Sequence, residues 1–163
     1  MSSKSSARAT ALQLSLRAAV AAGLSVVLAQ WLALPHPIYA LLASVIVMDL
    51  SPQTTRRLAL QRLAGTVVGA AVGVVVSYAP QAGPLAIAVG VFGAMLLSHA
   101  LNLLAAARLA GYVCGIVILT HADSAWSYGV YRIAETFLGI GMAVLVSQFP
   151  KVLPTDSPDH AES

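Results

Sequence analysis

A 138-residue stretch, positions 12–149, runs through the sequence as one apolar field broken only by short polar or proline-marked interruptions. A helix that crosses a bilayer needs about 20 apolar residues, so the stretch accommodates six crossings and leaves no room inside it for a soluble domain. Composition agrees: 58% of residues are hydrophobic and 9% charged, against about 25% charged in a soluble domain. A chain of this kind has too little polar surface to cover itself in water, whereas in lipid helices satisfy their own backbone groups. The expected fold is therefore all-α, a polytopic membrane protein with six transmembrane helices. The polar ends, a tail at 1–11 and another at 150–163, are too short to fold alone.

Prolines and polar breaks mark the spans. The pattern predicts helices over 12–34, 38–50, 62–79, 85–104, 108–120 and 129–149, with a polar segment at 53–61, a tight turn at 80–84 and a loop at 121–128. Lys4, Arg8, Arg17, Arg56, Arg57, Arg62, Arg108 and Lys151, eight of the nine Lys and Arg residues, fall on one side of that threading, and only Arg132 on the other. Positive residues stay in the cytoplasm, so both termini are expected inside a bacterial inner (plasma) membrane. The same arrangement explains the basic pI without nucleic acid as a partner. The single cysteine, Cys114, builds neither a disulfide framework nor a cysteine metal site.

The stretch also resembles itself. QRLAGTVVGAAVGVVVSYAP (61–80) and YRIAETFLGIGMAVLVSQFP (131–150) share eight of twenty positions, among them Arg62/Arg132, Thr66/Thr136, Gly69/Gly139, Ser77/Ser147 and Pro80/Pro150, at an offset of 70 residues. Chance likeness between two apolar helices is the plain alternative. Taken as real, the repeat makes two three-span units, about 12–80 and 82–150. Because three is odd, the second unit enters from the opposite face, an inverted 3+3 repeat common in secondary transporters. Spans 2 and 5 are both read as short, and short segments at matching positions of two halves point to a transport path. Otherwise they continue into buried polar flanks.

The run IYALLASVIVMDLSPQTTRRLALQRLAGTVVGAAVG, with Tyr39 opening span 2, then Pro52, then Arg62, Gly65, Thr66 and Gly69 as Arg-x-x-Gly-Thr-x-x-Gly, resembles the signature region of the fusaric acid resistance and aromatic acid exporter family. Arg17 in LSLRAAVAAGL fits as well. The resemblance implies a six-span transporter unit and efflux of small organic, including aromatic, acids. It also implies a cytoplasmic domain in many members; none is seen in this sequence, and from that departure we expect a homo-oligomer, a dimer favoured. An anion channel and a non-transporting membrane subunit of a larger complex are the alternatives.

For binding a small organic anion the candidates are Arg62, Arg132 and Tyr39. Guanidinium grips carboxylate with a bidentate fork, and both arginines are placed at helix N-terminal ends. Arg62 could instead bind lipid phosphate, and Arg132 could pair with Glu135 one turn on. Asp49, Glu135 and His99 are the candidates for carrying a proton; Asp49 could instead partner Arg56 or Arg57, Glu135 could serve only to neutralise Arg132, and His99 could be a hydrogen-bonded anchor. Gly65, Gly69 and Gly73, and likewise Gly111 and Gly115, make smooth faces for helix packing, a dimer contact being one version. Tyr39, Trp31, Trp126, Tyr128 and Tyr131 read as an aromatic belt at the outer surface. His36 and His121 fall in outer loops. No nucleotide loop, metal cluster or nucleophile triad is present, so no enzyme, cofactor or metal is expected.

Overall fold

A computed structural model describes residues 2–79, 83–120 and 124–149, with side chains from Arg8 onward except that of Thr120. Six helices follow one another: α1 Ser2–Trp31, α2 Pro37–Val47, α3 Pro52–Ser77, α4 Pro84–Ala100, α5 Leu104–Thr120 and α6 Ala125–Ser147. Among the described residues there is no strand. Three helices are long and apolar enough to cross a membrane: α1 from Arg8, α3 and α6.

Size, more than polarity, sorts residues between inside and outside. Buried positions are small, such as Ala21, Ala40, Ala43, Ala94, Ala110 and Ala143, while Val75, Leu85, Phe92, Leu119 and Phe149 point outward, each at least two-thirds exposed. Lipid tails are as apolar as leucine, so helices in a bilayer gain from small residues that let backbones approach.

The element ends follow local chemistry. Ser51 caps α3, its hydroxyl accepting from the Thr54 N–H at 3.5 Å, and Pro52 occupies the first turn, where its missing N–H costs nothing. The polar segment 53–61, expected between spans, is therefore the first turns of α3. α1 and α4 end alike: Ala33 (φ 51°) and Asn102 (φ 58°) turn left-handed, while the Leu34 and Leu103 N–H groups reach back to Ala29 and Ser98 carbonyls. This is the Schellman closure; Asn tolerates that backbone better than Ala. The first helix starts at Ser2, ten residues before the expected span, and α5 starts at Leu104 rather than 108. So α2 is short, ~16 Å at 1.5 Å per residue, while α5, at 17 residues, is not the match in length that the sequence pattern suggested.

Each helix runs opposite to the one before it. Ser25 meets Ser44 across α1 and α2 at 3.3 Å; the α5 glycine Gly111 faces Met95 and Val91 of α4; Gly129 of α6 faces Val74 and Ala70 of α3. In consequence α3 lies parallel to α5, and α6 parallel to α2. These two pairings reproduce each other. A Cβ on Gly69 would meet the Ala110 carbonyl oxygen and Val113; a Cβ on Gly139 would meet the Ala40 carbonyl oxygen and Ala43, every partner displaced by the same 70 residues. The helix neighbourhoods follow the same exchange: α3 touches α4 as α6 touches α1, and α3 meets α6.

Candidate functional site

Arg132 and Glu135 lie on the buried face of α6, at 2% and 0% exposure, and are the largest wholly buried side chains in the described structure. Arg132 is the eighth residue of α6 and Arg62 the eleventh of α3, so neither stands at the helix N-terminus that the sequence suggested. The helix dipole acts only within the first turn, and at these depths it does not govern either cation.

Around Arg132 the structure gathers side chains from two helices. Its guanidinium carbon stands 3.3 Å from the centroid of the Tyr39 ring, a cation–π contact. The Tyr128 hydroxyl donates to the Tyr39 hydroxyl at 2.8 Å. The His36 ring meets both tyrosines, 5.8 Å from Tyr39 and 5.4 Å from Tyr128 between centroids. Glu135 Oε1 accepts the His36 backbone N–H at 2.7 Å, and His36 Nδ1 lies 3.9 Å from the same oxygen. That bond anchors the start of α2, whose N-cap residue, His36, offers no side-chain cap of its own.

The cluster is incompletely satisfied. Arg132 Nε and Nη1 are buried without a hydrogen-bond partner, as is Glu135 Oε2. The ion-pair contact of Glu135 is with His36; none joins it to Arg132, although the two are three residues apart on one helix. A buried donor left unpaired costs about 1–3 kcal/mol, more when charged, so this arrangement is built to receive an acceptor group.

At positions 70 residues away the same frame carries different chemistry. Leu58 and Leu109 stand where Tyr128 and Tyr39 do, Ala106 where His36 does, and Gly65 where Glu135 does. There a Cβ on Gly65 would lie 2.8 Å from the Ala106 carbonyl oxygen. Arg62 is retained, 5% exposed, with a buried unpartnered Nε. Since α3 and α6 are antiparallel, the two arginines sit roughly 11 Å apart along the bundle axis, one nearer each end.

The other expected site residues lie apart from the cluster. Asp49, in the link after α2, accepts the Ser51 N–H at 2.8 Å and donates its own N–H to the Thr55 hydroxyl at 3.0 Å; it forms a turn and is not paired with Arg56 or Arg57, which are exposed. His99 is exposed and bonded through Nδ1 to the Met95 carbonyl of its own helix at 2.7 Å. Gly65, Gly69 and Gly73 are filled by α5, and Gly111 and Gly115 face α4, so these stripes are occupied within the chain rather than presented to a second copy. Trp31, Trp126 and Tyr131 point outward as a belt would, but Tyr39 is half-buried and Tyr128 buried. Arg17 joins the ends of two helices, donating to the Leu50 carbonyl at 3.4 Å and the Phe149 carbonyl at 2.5 Å. His121, Pro80, Pro150 and Lys151 lie outside the described residues.

His36 and Tyr128 are the members that sequence reasoning missed. The signal was spacing: 36 and 39, and 128, 132 and 135, fall three or four residues apart, on one helix face each. What placed the two faces together was the α2–α6 packing.

The chain matches the family model described as fusaric acid resistance protein-like over residues 24–146, most of its length. No curated protein and no solved structure matches it.

Proposed function

Because the chain belongs to the fusaric acid resistance protein-like family, a family of membrane transport and resistance, we propose that it exports small organic acids, aromatic ones included, from the bacterial cytoplasm across the inner membrane. The observation that carries this reading is the buried guanidinium of Arg132, its Nε and Nη1 without a partner, held against Tyr39. A carboxylate oxygen can accept from the open Nε–H or Nη1–H of this charged group. The Tyr39 and Tyr128 rings and the His36 imidazole offer edges and faces against which an aromatic substrate packs, at about 0.5–1.5 kcal/mol per ring pair.

The same reading gives the chain six crossings in an inverted 3+3 arrangement. Alternating helix direction, the neighbourhoods exchanged between halves, and the paired contacts of Gly69 and Gly139 all favour it. α2 and α5 do not pack on one another; they flank α3 and α6, and in this reading they line the substrate's path. The asymmetry between halves then has a purpose: the tyrosine-lined, acid-containing site is the one that holds the substrate, and the leucine-lined end offers it no matching site.

Glu135 gives the site its pH dependence. With Arg132 charged and Glu135 ionised the pair is neutral, and a bound carboxylate leaves one excess negative charge unless Glu135 takes a proton. Proton and anion therefore bind together, and by reciprocity each strengthens the other. Isothermal titration with benzoate tests this. Binding should tighten as pH falls from 8 to 6, and Arg132→Gln should weaken it by about tenfold or more, the worth of a charge-assisted hydrogen bond. Unchanged benzoate affinity in Arg132→Gln would remove the site from the mechanism.

A further inference from the structure

A second arginine site lies at the other end of the same face. Arg62 and Arg108 line a groove of about 340 Å³ between α2, α3 and α5, together with Gln61 and the apolar side chains of Ile46, Leu58 and Leu109. The groove opens onto the side of the bundle, since Ile46 and Tyr112 on its rim are exposed. Arg62 is 95% buried, Nε has no partner, and among the described residues no hydrogen bond or ion pair reaches its guanidinium. No acidic side chain lines the groove. The nearest carboxylate in the following link, Asp49, is occupied by the Ser51 N–H. This is also the end of the bundle where Arg56 and Arg57 stand exposed at the start of α3, so its field is positive.

We propose that this groove binds an anionic phospholipid, its phosphate held by Arg62 and Arg108 and the start of an acyl chain laid along Ile46, Leu58 and Leu109. The chemistry is that of basic pockets between membrane helices, which take lipid headgroups on the cytoplasmic side. Two guanidinium groups suit a phosphate, whose oxygens accept from both. The apolar wall and the lateral opening favour a lipid over a free anion, because a soluble phosphate gains nothing from either. The site is separate from the Arg132 cluster: at the matching positions it has Leu58 and Leu109 in place of two tyrosines, and its one aromatic side chain, Tyr112, stands exposed at the rim.

Native mass spectrometry of the delipidated protein tests this with three probes: phosphatidylglycerol, phosphatidylcholine of the same chains, and inorganic phosphate. Wild type should retain phosphatidylglycerol in preference to phosphatidylcholine, and Arg62→Gln should lose about tenfold or more of that retention. Arg108→Gln, at an exposed position that does not threaten folding, should lose retention as well and carries the test if Arg62→Gln is unstable. Equal retention of the two lipids would overturn the proposal, as would preference that survives in both variants. Displacement of phosphatidylglycerol by inorganic phosphate at comparable concentration would show a free-anion site instead of a lipid one.

Discussion

Arg132 and Glu135 are buried in a core rich in alanine, valine and small hydroxyl side chains. Ionisable groups at such depth are costly and are kept for function. Tyr39 holds the guanidinium by its ring face while its own hydroxyl accepts from Tyr128, and the two roles can be separated. Tyr39→Phe should leave benzoate affinity within about threefold, whereas Tyr39→Leu, which removes a desolvated cation–π contact of about 2 kcal/mol, should weaken it by more than tenfold in the same titration. Glu135 also has a structural duty to the His36 N–H. Glu135→Gln keeps an acceptor there and should melt near wild type, while Glu135→Ala orphans that N–H and should cost about 1–3 kcal/mol; a lower melting point for Gln than for Ala would contradict the assignment. The sequence pointed to Arg132 and Glu135, one turn apart, because intramembrane charge is conspicuous in an apolar run, and to Tyr39 through the family resemblance. It could not bring Tyr39 and His36 to the α6 face that carries Tyr128, Arg132 and Glu135, because that contact spans α2 and α6, about a hundred residues apart, and nothing local encodes it.

The elements were legible wherever proline, serine or glycine chemistry wrote their ends, and less so elsewhere. Pro37, Pro52 and Pro84 each open a helix. Two misplacements share one cause. Hydropathy marks where lipid contact begins, not where the helix does, so the polar turn at 53–61 and the residues before Arg108 were read as links although both are helical. Arg17 shows why the short α2 persists: its ends are tied, by Glu135 at the start and by Arg17 just beyond the finish. Helix contact is equally specific. Gly69→Ala and Gly139→Ala each drive a methyl against a backbone carbonyl, which cannot swing aside, and should destabilise by about 1–3 kcal/mol or more. Gly23→Ala and Gly141→Ala, with nothing within 4 Å of the new carbon, should be neutral or slightly stabilising. Thermal melts of the four variants in one detergent give the comparison.

Taken whole, the molecule packs α3 on α5 as it packs α6 on α2. At positions 70 residues apart in these pairings Glu135 stands for Gly65, Tyr39 for Leu109 and Tyr128 for Leu58, which makes the two ends chemically unequal. The proposed six-crossing arrangement predicts sidedness. With Cys114 replaced by alanine, single cysteines at Gln53 and Asn102 should label from the cytoplasmic side, and cysteines at Leu32 and Ala79 from the outside; labelling of Gln53 and Ala79 from one side would break the six-crossing arrangement. Flux of radiolabelled benzoate in proteoliposomes, with and without a pH gradient, puts transport and site to the test together. Wild type should carry benzoate in a saturable manner that responds to the gradient, and Arg132→Gln, reconstituted at equal density, should carry it at least tenfold more slowly. Equal flux from wild type and Arg132→Gln, or no flux from wild type across a panel of aromatic acids, would contradict an organic-acid exporter working through Arg132.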